Sequence, residues 1–244
     1  MLEWLRSWLC AECRAQLAST NALVDSLKGH IQNKDIEIVS LLKTIIELQP
    51  ESTVNSPSWL DQSKYVMRPV IQYVESGQIR DLSIGACDIY TPSPTLERIV
   101  IEQGWRSLLP EIAMHRIWEA VANRITYVFD TNDSWEFPTF TWMRQAGDCE
   151  DSTILMVTLA RMSKIPADRI FNAAGYYRTT DGQNVGHSFP IFMRNDGKWY
   201  IYESTLDGVR MNDEPKLFAG SNYTADWGVA NDKFAGGISN GTQI

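Results

Sequence analysis

The chain has 244 residues, with 44% hydrophobic and 21% charged side chains, enough apolar material for one packed domain plus appendages and too much for wholesale disorder. Its 22 Lys and Arg against 30 Asp and Glu give a formal charge of −8 with no basic run, which argues against nucleic acid or an anionic membrane as partner. Four cysteines, Cys10, Cys13, Cys87 and Cys149, are too few and too irregularly spaced for a disulfide framework and read as reduced thiols.

The first ten residues carry Glu3 and Arg6 within a short apolar stretch and lack the pattern of a secretory signal. The longest apolar run, Ile154–Ala160, is far too short to span a membrane. The expected setting is the cytoplasm or a released assembly such as a virion. Trp4, Leu5, Trp8 and Leu9 form an apolar interaction end. Cys10 and Cys13 make a lone CxxC that supplies only two zinc ligands and reads as helix packing.

From Leu17 to Leu48 a heptad can be written, with Leu17, Val24, Ile31, Ile38 and Ile45 in one seam position and Thr20, Leu27, Lys34, Leu41 and Leu48 in the other. This predicts a self-associating coiled coil within residues 1–50; the alternative is an amphipathic helix lying on its own domain. Pro50 and Pro57 bracket a polar segment, so residues 51–70 read as a linker, 71–218 as the main domain and 219–244 as a loosely held tail.

Within the main domain, residues 97–129 read as helical with a break at Pro110. A second helix begins near Cys149, with Asp148 as N-cap and Asp151 at the third position after it. Ile154 to Met162 leave that helix almost no polar face, so it belongs in the interior. Three strand-like runs follow, Phe171–Arg178, Val185–Arg194 and Lys198–Thr205, giving an α+β fold with a helix packed on an antiparallel sheet.

Cys149 in the first turn of a buried helix faces free backbone N–H groups, which predicts a lowered thiol pKa and suits a nucleophile. Of the three histidines, His30 falls in the heptad region and His115 in a helical run, whereas His187 lies in a strand beside Gly186, where another backbone or a substrate can come close. If Asn195-Asp196-Gly197 is a three-residue hairpin loop, Met193 pairs with Trp199, Ile191 with Ile201, Phe189 with Glu203 and His187 with Thr205. His187 and Glu203 then share one sheet face with Phe189, Ile191 and Ile201, a face expected to pack on the Cys149 helix. A two-residue turn would send Glu203 to the other face, and an incidental His–Glu contact is the plain alternative. Pro190 removes a ladder donor from the histidine strand.

Gly147-Asp148-Cys149-Glu150-Asp151 at a helix start, Gly186-His187 in a strand and Lys198 to Thr205 after an Asp-Gly turn resemble the transglutaminase-like superfamily, in particular its bacterial cysteine-proteinase branch. Asn123 to Tyr127 and the Trp135 region are similar in style, and the resemblance spans roughly residues 100–210. It implies a papain-like core in which Cys149 is the nucleophile, His187 the general base and then acid, and Glu203 the group that orients the imidazole. The family usually has Asp at the third place, so Asp207 is the fallback. The Cys149 N–H can supply one oxyanion-hole donor, with Trp142 and Gln145 the nearest upstream candidates for the other.

No phosphate loop or metal-ligand cluster is visible, so no cofactor is expected. The reaction these residues predict is thiol-dependent acyl transfer on a protein or peptide, hydrolysis rather than cross-linking. The alternative is a coiled-coil assembly protein that carries the fold with weak or no catalysis.

Overall fold

The computed structural model describes residues 56–64, 67, 69–75, 78–131, 134–206 and 215–239. Residues Gln72–Asp81 fall in one compact unit and the other described residues in a second. The heptad of 17–48, Cys10, Cys13 and Asp207 lie outside the described residues.

In chain order the strands and helices begin with β1 (Leu60–Asp61), β2 (Val70–Glu75), β3 (Gln78–Ser83), α1 (Pro94–Glu102), α2 (Pro110–Arg124), β4 (Thr126–Tyr127), α3 (Pro138–Arg144) and β5 (Ala146–Gly147). Next come α4 (Cys149–Met162), β6 (Ile170–Arg178), β7 (Asn184–Met193), β8 (Trp199–Ile201), β9 (Lys216–Leu217), β10 (Gly228–Ala230) and β11 (Ala235–Ile238). Helices α1, α2 and α3 each open on proline, whose missing N–H falls where the first turn has no acceptor to offer. Among the described residues no helix is long and apolar enough to cross a membrane.

Helix α4 is buried from Glu150 to Ala160, as its continuous apolar sequence predicts, and packs on β6 and β7. Those strands sit in a seven-stranded sheet of order β1, β11, β10, β6, β7, β8, β9. Successive side chains along β7 point to opposite faces. Phe189 and Ile191 join Phe171, Trp199, Ile201, Phe218 and Phe234 in one apolar cluster that contains no residue of α4. On α4's side, the Thr153 hydroxyl donates to the Ser188 carbonyl at 3.2 Å. The face expected to meet the Cys149 helix is therefore covered instead by the chain's two flanks.

Those flanks correct two further expectations. Residues 51–70 are not simply a linker: β1 pairs with β11, and the Trp59 ring lies 5.1 Å from Phe171 and 5.4 Å from Trp199. Residues 219–239 are not a loose tail. Strand β10 pairs antiparallel with β6, placing Val229 opposite Ala173, and β11 pairs with both β10 and β1. Gly175 permits this crossing, because a Cβ there would stand 2.2 Å from the Thr224 carbonyl oxygen.

The hairpin between β7 and β8 follows the three-residue geometry, with Gly197 left-handed at φ 76° and the pairs Met193 with Trp199 and Ile191 with Ile201. The ladder does not reach Thr205. Tyr202 N–H donates to the Pro190 carbonyl at 3.0 Å, but proline has no N–H to return, and β8 ends at Ile201. Glu203 is thereby released from strand geometry.

Candidate active site

Asp148 caps α4, its side chain accepting from Asp151 N–H at 3.4 Å, and so sets Cys149 at the first helical position. The Cys149 thiol donates to Glu150 Oε2 at 3.1 Å. Burial pushes this thiol well above its ordinary pKa; the Glu150 carboxyl, by charge and as acceptor, pushes it further, against the backbone N–H of Ser188. Burial and the neighbouring carboxyls thus act against the lowering expected from the helix terminus.

His187 comes from β7, opposite Gly175 on β6. Its ring stacks 5.9 Å from Phe189 and its Nε2 lies 2.8 Å from Glu203 Oε2. Glu203 is held from both sides. Its Oε1 accepts the backbone N–H of Ser204 at 2.9 Å, Thr205 at 2.9 Å and Leu206 at 3.3 Å, and the Thr205 hydroxyl at 3.0 Å. Its Oε2 also accepts the Tyr223 hydroxyl at 3.1 Å, and the Trp118 indole of α2 donates to its backbone carbonyl. Burial alone would raise this carboxyl, but the hydrogen bond and charge of His187, followed by the donors at Thr205, bring it down to about 2.

An ionised carboxylate with every partner a donor assigns the hydrogen of the His187–Glu203 bond to Nε2. In a neutral ring Nδ1 is then the unprotonated nitrogen, the tautomer a general base requires. The extra methylene of Glu203, where the family usually has Asp, is absorbed by the turn that folds Ser204 to Leu206 around Oε1.

Cys149 and His187 line one cleft of about 770 Å³. Tyr127, Phe129, Trp135 and Trp227 form its aromatic walls, and Asp148 and Glu150 lie beside the thiol. Trp142 and Gln145 do not line it. Gln145 is the left-handed C-cap of α3, and the Trp142 ring lies under the Arg124 guanidinium at 4.3 Å, so only the Cys149 N–H is left of the named oxyanion donors. Among the described residues no group of three or more His, Cys, Asp and Glu is placed to hold a metal ion.

Tyr223 and Trp227 escaped the sequence reading because they lie in the segment taken for a tail. Two large aromatic side chains four positions from one another were the available signal, since loose tails are poor in them. Trp227 occupies the space that Gly186 leaves open: a Cβ on Gly186 would be 2.8 Å from its ring.

The match of residues 107–204 to the family described as the Transglutaminase-like superfamily covers α2 through Ser204, and thus Cys149, His187 and Glu203. Residues 107–204 are thus similar to a transglutaminase-like domain. No curated protein matches the sequence. Among solved structures, Legionella pneumophila LapG is similar at 14% identity, covering 51% of this chain and 81% of that chain with a TM-score of 0.36. A protein from Cytophaga hutchinsonii is similar at 17% identity, covering 57% of this chain and 47% of that chain with a TM-score of 0.37. Tyr223 and Trp227 lie beyond the stretch that matches the transglutaminase-like family.

Proposed function

We propose that the protein is a thiol-dependent hydrolase of peptide or side-chain amide bonds, with Cys149, His187 and Glu203 as its triad. The observation that carries this reading is that His187, paired with the buried Glu203 carboxylate, lines the same cleft as Cys149.

Cys149 Sγ passes its proton to His187 Nδ1 and attacks the amide carbonyl carbon. The tetrahedral oxyanion forms against the Cys149 backbone N–H at the positive end of α4. Collapse breaks the C–N bond, and His187 gives its proton to the leaving amine. Water, deprotonated by His187, then hydrolyses the thioester and restores the thiol. Glu203 holds the ring in the tautomer with Nδ1 free and stabilises the imidazolium that forms twice in each cycle. The first step requires the thiol to leave its hydrogen bond with Glu150.

That same bond favours a second reading, in which the fold serves as a binding module within a coiled-coil assembly and the thiol stays protonated. Incubation of the full chain with heat-denatured casein, read as new peptide N-termini by mass spectrometry, separates the two. The enzyme reading predicts termini that disappear in Cys149→Ala and in His187→Ala. Termini absent from the parent protein, or unchanged in Cys149→Ala, favour the binding module.

A further inference from the structure

The cleft around Cys149 has an unbalanced charge. Asp130, Asp148, Glu150 and Asp226 line it, while no Lys or Arg does so among the described residues. A collection of acids on a protein of charge −8 is not in itself a site. Glu150 supplies the second observation. It is 6% exposed, its Oε2 accepts the Cys149 thiol, and its Oε1 is shut from water with no hydrogen-bond partner among the described residues. A buried carboxyl with so few donors is costly to ionise, and a positive charge brought into the cleft it lines relieves that cost.

The walls narrow the class of occupant. Tyr127, Phe129, Trp135 and Trp227 offer aromatic faces, which accept both the aliphatic stem and the charged head of a long basic side chain. A bare metal ion is a poor fit, because the described residues place no three ligating side chains together. Asp226 stands exposed at the mouth, with the Thr224 hydroxyl donating to its Oδ2 at 2.7 Å.

We propose that the cleft selects peptides carrying a lysine or arginine side chain beside the reacting carbonyl, with Glu150 and Asp226 as the carboxylates that receive it, an inference that rests on the reading of Cys149 as the reacting centre. Burial, with the charge of Asp148 next, pushes Glu150 up to about 8, so it is largely protonated at neutral pH. A cation brought against it favours the ionised form, and the site becomes anionic when its occupant arrives.

The test uses the full chain and three methanethiosulfonate reagents that differ in charge: the trimethylammonium-ethyl cation, the sulfonato-ethyl anion and the neutral methyl compound. Each forms a mixed disulfide as the Cys149 thiolate attacks sulfur and a sulfinate leaves. Rates at Cys149 are read by peptide mapping and normalised to each reagent's rate with 2-mercaptoethanol. The cation should react at least ~10-fold faster than the anion at low ionic strength, with the ratio falling as salt is added. Glu150→Gln and Asp226→Asn should each lower the ratio about 2-fold or more, while Glu102→Gln, on the exposed side of α1, should leave it unchanged.

A normalised ratio near one overturns the proposal, as does an equal fall in Glu102→Gln. Asp226 is exposed, so Asp226→Asn keeps the test decisive even if Glu150→Gln folds poorly. All three reagents need the same thiolate. Failure of the enzyme reading therefore leaves the ratio intact, and an active enzyme with a ratio near one rejects the charge preference alone.

Discussion

The Tyr223 hydroxyl donates at 3.1 Å to Glu203 Oε2, the same oxygen that faces the His187 ring. A residue beyond the family match thus shares the acceptor on which the orientation of the histidine depends. Tyr223 does not line the cleft, so it acts through Glu203 as a positioning residue. Tyr223→Phe should lower kcat with little change in KM, and should cost about 1–3 kcal/mol of stability because a buried carboxylate loses a donor. Steady-state kinetics on heat-denatured casein and a denaturant titration check this. A raised KM with unchanged kcat would contradict the positioning role.

Glu203→Gln tests the proposed third member of the triad. Four donors surround Oε1, so the amide oxygen must take that side, leaving the NH2 to face His187 Nε2 and Tyr223. The ring is driven to the tautomer with hydrogen on Nδ1, and turnover should fall on the order of 10⁴-fold with the fold retained. Glu203→Asp should keep part of the activity. If Glu203→Gln turns over like the parent while Asp207→Asn is dead, Asp207 is the third member.

Glu150→Gln should speed the reaction of Cys149 with a neutral alkylating agent and shift its pH–rate curve to lower pH. Burial remains in this variant, but the neighbouring charge that raises the thiol is gone. A curve unmoved or shifted upward would show that Glu150 does not hold the thiol protonated.

The acids of α4 also predict how stability varies with pH. Burial, followed by the charge of Asp148, raises Glu150 to about 8 and Asp151 to about 7. A carboxyl raised on folding stabilises while protonated, so this contribution is present below the ordinary value and lost as pH rises through 7 and 8. Glu203 has the opposite sign: lowered to about 2, its contribution is present above its ordinary 4.5 and is lost as pH falls toward 2. Tm should therefore peak near pH 4.5 and decline from there to about pH 8. Thermal melts of Glu150→Gln should show a flatter alkaline limb; a Tm that climbs from pH 6 to 9 in the parent would contradict the assignment.

The part of this arrangement legible in the sequence is the part governed by local rules. Asn195-Asp196-Gly197 sets the parity of the β7–β8 hairpin as far as Ile201, and the turn after it holds Glu203 against His187. Asp148 and Asp151 mark the start of α4. The rest depends on contacts distant in sequence. Strands β10 and β11 have three and four residues, too short for an alternating pattern to stand out, and their pairing partners are β6 and β1. Trp59 and Leu60 look like linker residues until β11 lies beside them. Trp142 and Gln145 are near Cys149 in sequence, but α3 carries them away from the cleft. The raised thiol reflects burial, which no helix-start pattern reports.

The heptad of residues 17–48 predicts self-association, which single substitutions in the full chain can test. Ile31→Asp or Ile38→Asp places a charge in the seam and should reduce the sedimenting species to monomer. Identical sedimentation of the parent and both variants would make the seam a face packed on its own domain.

Whether His187 serves as base to the Cys149 thiol is read from the alkylation rate of Cys149 with iodoacetamide at neutral pH in the parent and in His187→Ala, mapped by mass spectrometry. The rate should be at least ~100-fold lower in the variant, because the base that takes the thiol proton is gone. Equal rates in the two proteins would contradict that role.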